Sequence, residues 1–181
     1  MTESSVLYSK EGFIFTKIGN NNYSLLFDIE NDKIIIQKII DFNLLKLIYQ
    51  LNSDIYEETN IEIINENEVI LYLLMKHLFE DLGLPQRFSY IHVKKFIEND
   101  KISFISHSIR NNKPKSVPID SKLLPIKKMI CECLIITPHK IQFSCNVTFD
   151  DDMNVPPFAE KIVGLILFKI FKRVKQFIEN I

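Results

Sequence analysis

The chain has 181 residues, 46% of them hydrophobic and 25% charged, with a formal net charge of -1. That size and balance fit one ordinary globular domain, and a near-neutral chain lacks the electrostatic footprint of a general nucleic-acid binder. A chain of this length buries roughly 70% of its unfolded surface, so it needs neither a metal nor a disulfide to hold its core.

The N-terminal third reads as short strands. Phe13–Ile18 and Tyr23–Ile29 flank Gly19-Asn20-Asn21-Asn22, a cluster suited to a tight turn. Lys33–Ile40 is a β-branched run and is expected to be a third strand. Asp41 then caps a short helix over Phe42–Leu51, whose apolar residues fall at helical spacing. Glu57–Ile64 and Glu68–Met75 are strands around the polar turn Asn65-Glu66-Asn67, and Pro85 ends that region.

Two hairpins follow. Arg87–Ile97 and Lys101–Ile109 are joined by Glu98-Asn99-Asp100, and Met129–Thr137 and Lys140–Phe149 by Pro138-His139. Between the hairpins, the proline- and lysine-rich segment 111–125 is expected to be an exposed loop. Asp150-Asp151-Asp152 lacks the glycine and terminal glutamate of a calcium loop and reads as a turn before the last helix. In that helix Pro156 and Pro157 stand where a helix starts without their missing N–H groups. Ile162, Val163, Ile166, Ile170, Val174, Phe177, Ile178 and Ile181 then recur at helical spacing. Its longest apolar run, Ile162–Phe168, is far short of the roughly 20 residues that cross a bilayer.

Catalytic machinery is not visible. His77, His92, His107 and His139 are scattered, and the four glycines form neither a nucleophile elbow nor a phosphate-binding loop. The polar, acidic start of the chain has no basic–apolar leader, so Cys131, Cys133 and Cys145 are expected to be free thiols in a reducing, cytoplasmic setting. Cys131 and Cys133 alone are no zinc set, and no metal or cofactor is expected. Charge is unevenly spread. Residues 1–70 are acidic, whereas Arg110, Lys113, Lys115, Lys122, Lys127 and Lys128 are opposed by Asp120 alone. The last helix carries Lys161, Lys169, Lys172, Arg173 and Lys175 against Glu160 and Glu179. Together these stretches would suit an anionic membrane surface, or they are solvated faces of a helix and a loop.

Four local features resemble the START family of lipid-transfer domains. Asn60–Ile64 followed by Val69–Met75 resembles the family's adjacent strands before its proline–arginine segment, here Pro85-Gln86-Arg87-Phe88. Ile102–Ile109 with Ser108, then Pro114 and Pro118, is similar to its strand ending in serine before a proline-containing loop. Cys131–Pro138 resembles the next strand. Val147-Thr148-Phe149-Asp150 and then Pro156 resemble the approach to its lid helix. The resemblance covers roughly residues 57–181 and implies a single α+β domain of the helix-grip class, a curved antiparallel sheet wrapped around a long C-terminal α-helix.

It further implies a monomer that holds a lipid or sterol-like molecule between sheet and helix and meets membranes transiently, as a peripheral cytoplasmic protein. The lid candidates are Ile162, Val163, Ile166 and Ile170. On the sheet, Phe104 and Ser106 share one face, as do Cys131 and Cys133, with Phe143 on the next strand. Gln86 and Tyr90 are candidates for polar contacts to a head group. Each of these has plain core packing as its alternative, and a single bulge would swap the faces. Two rival functions stand beside lipid binding: a small cofactor-free enzyme acting on a hydrophobic substrate, and an interaction protein whose bulky Phe168, Phe171 and Phe177 fill the interior.

Overall fold

The computed structural model describes residues 4–181. Strands β1 (Ser5–Lys10), β2 (Phe13–Gly19) and β3 (Asn22–Glu30) form a meander through two tight turns. Positive φ at Glu11 and Gly12, and at Asn21, gives these two turns the left-handed backbone that short hairpins require. After a crossover containing α1 (Phe42–Gln50) come β4 (Tyr56–Asn65), β5 (Glu68–Met75), β6 (Arg87–Ile97) and β7 (Lys101–Ser108). The short β8 (Lys122–Leu123), β9 (Ile126–Thr137), β10 (Lys140–Phe149) and the closing helix α2 (Pro157–Glu179) complete the chain.

The sheet runs β1-β2-β3-β10-β9-β7-β6-β5-β4, antiparallel throughout, with β8 added parallel to β6. Register shifts in the β1–β2, β4–β5 and β9–β10 ladders bend the strands, and bending makes one face concave. Alternation fixes what lies on that face. Tyr23, Leu25, Phe27 and Ile29 of β3 are buried there while their neighbours are not. Val69, Leu71 and Leu73 of β5, and Ile91 and Val93 of β6, continue the same surface.

Helix α2 is about 34 Å long at 1.5 Å per residue and lies across the concave face. Pro157 occupies its first turn, as the sequence suggests. Helix α1 begins at Asp41, whose carboxylate accepts from the N–H groups of Asn43 and Leu44. It packs beside α2, and Asn52 just beyond it donates to Ile48 O and Ile170 O.

One expected strand is absent. Residues 33–40 form a turn, a bend and a 3-10 helix, Ile36–Ile39, rather than a β-strand. Burial of Ile36 and Ile40 against the core outweighs the β propensity of the run, and the Ile36 N–H bonds to Pro138 O instead of to a neighbouring strand. Conversely β1 and β8 are elements that the sequence pattern does not announce. Among the described residues, no helix is long and apolar enough to cross a membrane.

Candidate functional site

The middle of the concave floor is built from β9 and β10. Cys131 stands opposite Cys145, Cys133 opposite Phe143 and Met129 opposite Val147. The next strand brings Phe104 opposite Cys131 and Ser106 opposite Met129. Five sequence candidates, Phe104, Ser106, Cys131, Cys133 and Phe143, therefore share one surface because strand side chains alternate with period two.

Exposure varies across that surface. The flanking residues on β3, β5, β6 and β7 are buried, yet Met129, Cys131, Cys145 and Val147 keep accessible surface. Tyr49 of α1 and Tyr56 of β4, ring against ring at 5.2 Å, do likewise. Burial raises the phenol pKa of both tyrosines. The Cys131 thiol is raised by its hydrogen bond to Cys145 and then by burial, and burial pushes Cys133 up to about 12.

Rings fill the rest of the space. Phe27, Phe143 and Phe171 lie with centroids 4.9 to 5.5 Å apart, and Phe13 stacks on Phe27 at 4.4 Å and meets Phe168 edge-on at 5.2 Å. Of the lid candidates, Ile170 is buried, Ile162 and Ile166 are half-buried and Val163 is exposed. Gly164 explains how closely the helix seats: a Cβ there would come within 2.8 Å of the Phe15 ring.

Two polar latches hold α2 down. Near its start, Glu160 is only 5% exposed and accepts from Tyr23 Oη and Lys17 Nζ, both at 2.6 Å. Farther along, Asp54, in the connection from α1 to β4, accepts from Arg173 and from Lys169 Nζ at 2.6 Å. These pairs hold the Asp54 carboxyl well below its usual range, Arg173 contributing most. Lys172 pairs with Glu11, and Lys175 with Glu179. Four of the five basic residues of the helix thus meet acids, and three of them, Lys169, Lys172 and Arg173, do so across the fold and help to close the lid. Neither Glu160 nor Asp54 is among the sequence candidates; the opposed charge of the acidic N-terminal part and the basic last helix is the signal that could have found them.

Gln86 and Tyr90 are not on the concave face. Gln86 donates to Glu57 Oε2 and Met75 O, both at 2.8 Å, at the mouth of an open surface groove of about 740 Å³ that His77, Arg87, Asp120 and Lys122 help to line. Tyr90 stands opposite Tyr72 on the convex face, where residues 109–125 cover Tyr72, Leu74 and Phe88 with Val117 and Leu123. With Ile91 and Val93 facing inward, Tyr90 must face outward. His92 shares that outward parity and meets His107 and Glu68. His77 bonds to Leu84 O, and His139 to Ile34 O, outside the concave face. Asp150 pairs with Arg110, as befits a turn before the helix. Among the described residues, no group of three or more His, Cys, Asp or Glu is placed to hold a metal ion.

No protein-family profile matches the chain, and no curated protein sequence matches it. Solved structures do. The lipid transfer and protein localization domain of human StarD13 (DLC2) superposes with a TM-score of 0.71 at 10% identity, over 100% of this chain and 91% of that one. A STAR-related lipid transfer protein from Xanthomonas axonopodis gives 0.70 at 10% identity, over 97% and 98%. Human STARD10 gives 0.69 at 12%, over 96% and 71%. With a long helix gripped by a curved antiparallel sheet, and likeness along its whole length to these structures, the chain has the START-type helix-grip fold.

Proposed function

We propose that this protein binds one hydrophobic molecule, a lipid, between the floor of β9 and β10 and the N-terminal half of α2, and that it serves intracellular lipid transfer or sensing. One observation carries the reading: Met129, Cys131, Cys145 and Val147 retain accessible surface at the centre of a face whose neighbouring strands are buried, beside Tyr49 and Tyr56, whose phenol pKa values burial raises. Apolar surface left accessible in that position suits a molecule that water rejects. Burying about 300 Å² of apolar ligand surface there contributes on the order of 7 kcal/mol before ordering costs are subtracted. The hydroxyls of Tyr49, Tyr56 and Ser106 are the polar groups on hand to orient it. Likeness to lipid transfer proteins at the level of fold supports the same reading.

Loading requires the start of α2 or a neighbouring loop to lift. Phe158 and Leu165 are half exposed on α2 and Ile119 is 95% exposed in the 109–125 loop, so these are the residues expected to meet a membrane while it does. Binding is favoured over catalysis because the histidines lie off the concave face and Glu160 is already held by Lys17 and Tyr23. The aromatic cluster around Phe171 gives the filled-interior alternative its support, since it occupies part of the same space.

Filling the remaining space discriminates between the two. Val147→Trp is expected to weaken binding of fluorescent fatty-acid and sterol probes at least tenfold while the far-UV circular dichroism stays native. Unchanged probe affinity in that variant, or no probe binding by the parent protein, would favour the filled interior.

A further inference from the structure

Two thiols meet in the middle of the sheet. The Sγ atoms of Cys131 and Cys145 lie 3.2 Å apart, on residues directly opposed across β9 and β10. Opposed residues of an antiparallel pair have Cα atoms about 4.5–5.5 Å apart, within the roughly 4.4–6.8 Å that a disulfide spans. The backbone therefore already has the spacing a bridge needs. Cys133 shares the face, but it stands opposite Phe143 and has Ile102 on its other side. All three cysteines are free thiols.

We propose that Cys131 and Cys145 form a redox pair that closes to a reversible disulfide within the sheet when a small neutral peroxide reaches it, Cys133 taking no part. The sulfur of one cysteine attacks a peroxide oxygen, breaking the O–O bond and giving a sulfenic acid and one water. The second sulfur then attacks the sulfenic sulfur, the S–S bond forms, and a second water leaves. Both thiol protons end in water, and hydrogen peroxide is reduced by the two electrons that the thiols lose.

The surroundings select the oxidant. The hydrogen bond to Cys145 and burial hold the Cys131 thiol protonated, so its thiolate is scarce and its oxidation at neutral pH is slow. Half-buried sulfurs in the middle of a sheet disfavour a large charged disulfide such as oxidised glutathione, whereas hydrogen peroxide is small and uncharged. Closure ties the two central strands together on the floor beneath α2. The pairing depends only on strand register, so it stands whether or not a lipid occupies the space above it.

The test is a count of thiols. The protein is treated with hydrogen peroxide, the excess is removed with catalase, and the chain is unfolded in guanidinium chloride at about pH 8 in the presence of iodoacetamide before intact-mass measurement. Untreated protein should take three labels. Oxidised protein should take one, and dithiothreitol should restore three. Cleavage after Glu132 separates Cys131 from Cys133, so peptide mapping of the wild-type chain should find a 131–145 cross-link and the label on Cys133. In Cys133→Ser the count should fall from two to none, and in Cys145→Ser no cross-link within one chain should form. Three labels persisting after peroxide, oxygen added to single thiols, a bridge that includes Cys133, or a bridge between two chains would each overturn the proposal.

Discussion

At Glu160 a carboxylate that sequence reading counts as a surface charge lies almost wholly enclosed, held by a phenol and an ammonium. Such a group is tolerated only while its partners are present. Tyr23→Phe removes one of them, and is expected to cost about 1.5–3 kcal/mol in urea unfolding, the range for a hydrogen bond to a charged group. A loss under about 0.5 kcal/mol would show that Lys17 alone suffices. Four residues on, Gly164 gives a prediction opposed to intrinsic propensity. Alanine is the better helix former by roughly 1 kcal/mol, but its methyl would meet the buried Phe15 ring, which is stacked on Tyr23. Gly164→Ala should therefore destabilise by about 1–3 kcal/mol. A rise in melting temperature would mean that the ring can yield.

Among the elements, α2 and its Asp54 clamp set a pH dependence. The Asp54 carboxyl is held below its ordinary value of 3.8, first by Arg173 and then by Lys169. A carboxylate depressed in the folded state adds stability above its unfolded pKa and loses it as pH falls through the folded one. The clamp is thus fully engaged at neutral pH and weakens progressively below about pH 4. The gap in unfolding free energy between wild type and Asp54→Asn should accordingly be present at pH 7 and narrow below pH 4. A gap independent of pH would assign the effect to packing. Because Asp54 is about half exposed, salt should shrink the gap as well.

The elements also differ in how plainly the sequence announces them. α2 is legible because two prolines open it and apolar residues recur every three or four positions. The paired strands β4 to β7, β9 and β10 are legible because turn residues separate alternating runs, and within one strand the alternation correctly groups Phe104 with Ser106 and Cys131 with Cys133. Relative parity between strands is not legible. Bulges at Lys140/Ile141 and Thr148/Phe149 shift the ladder, and nothing local shows that residues 109–125 fold over the outer face and claim Tyr90. The stretch 33–40 misleads for a related reason. Ile36 and Ile40 are buried, but in a crossover without strand pairing, where tertiary burial overrides strand propensity.

On the scale of the whole molecule, opposed charge and apolar packing serve one arrangement, a helix clamped over a concave sheet. Acidic positions early in the chain, Glu11 and Asp54, meet basic positions near its end, Lys172, Lys169 and Arg173, so lid closure joins the two ends of the sequence. Aromatic rings fill part of the interior, and the centre of the floor keeps open surface. The central claim is that a lipid occupies that space. Native mass spectrometry of the purified protein, followed by organic extraction, tests it most directly. The account predicts one lipid per chain, lost in Val147→Trp. A ligand-free protein that takes up neither fatty acids nor sterols from liposomes would contradict it.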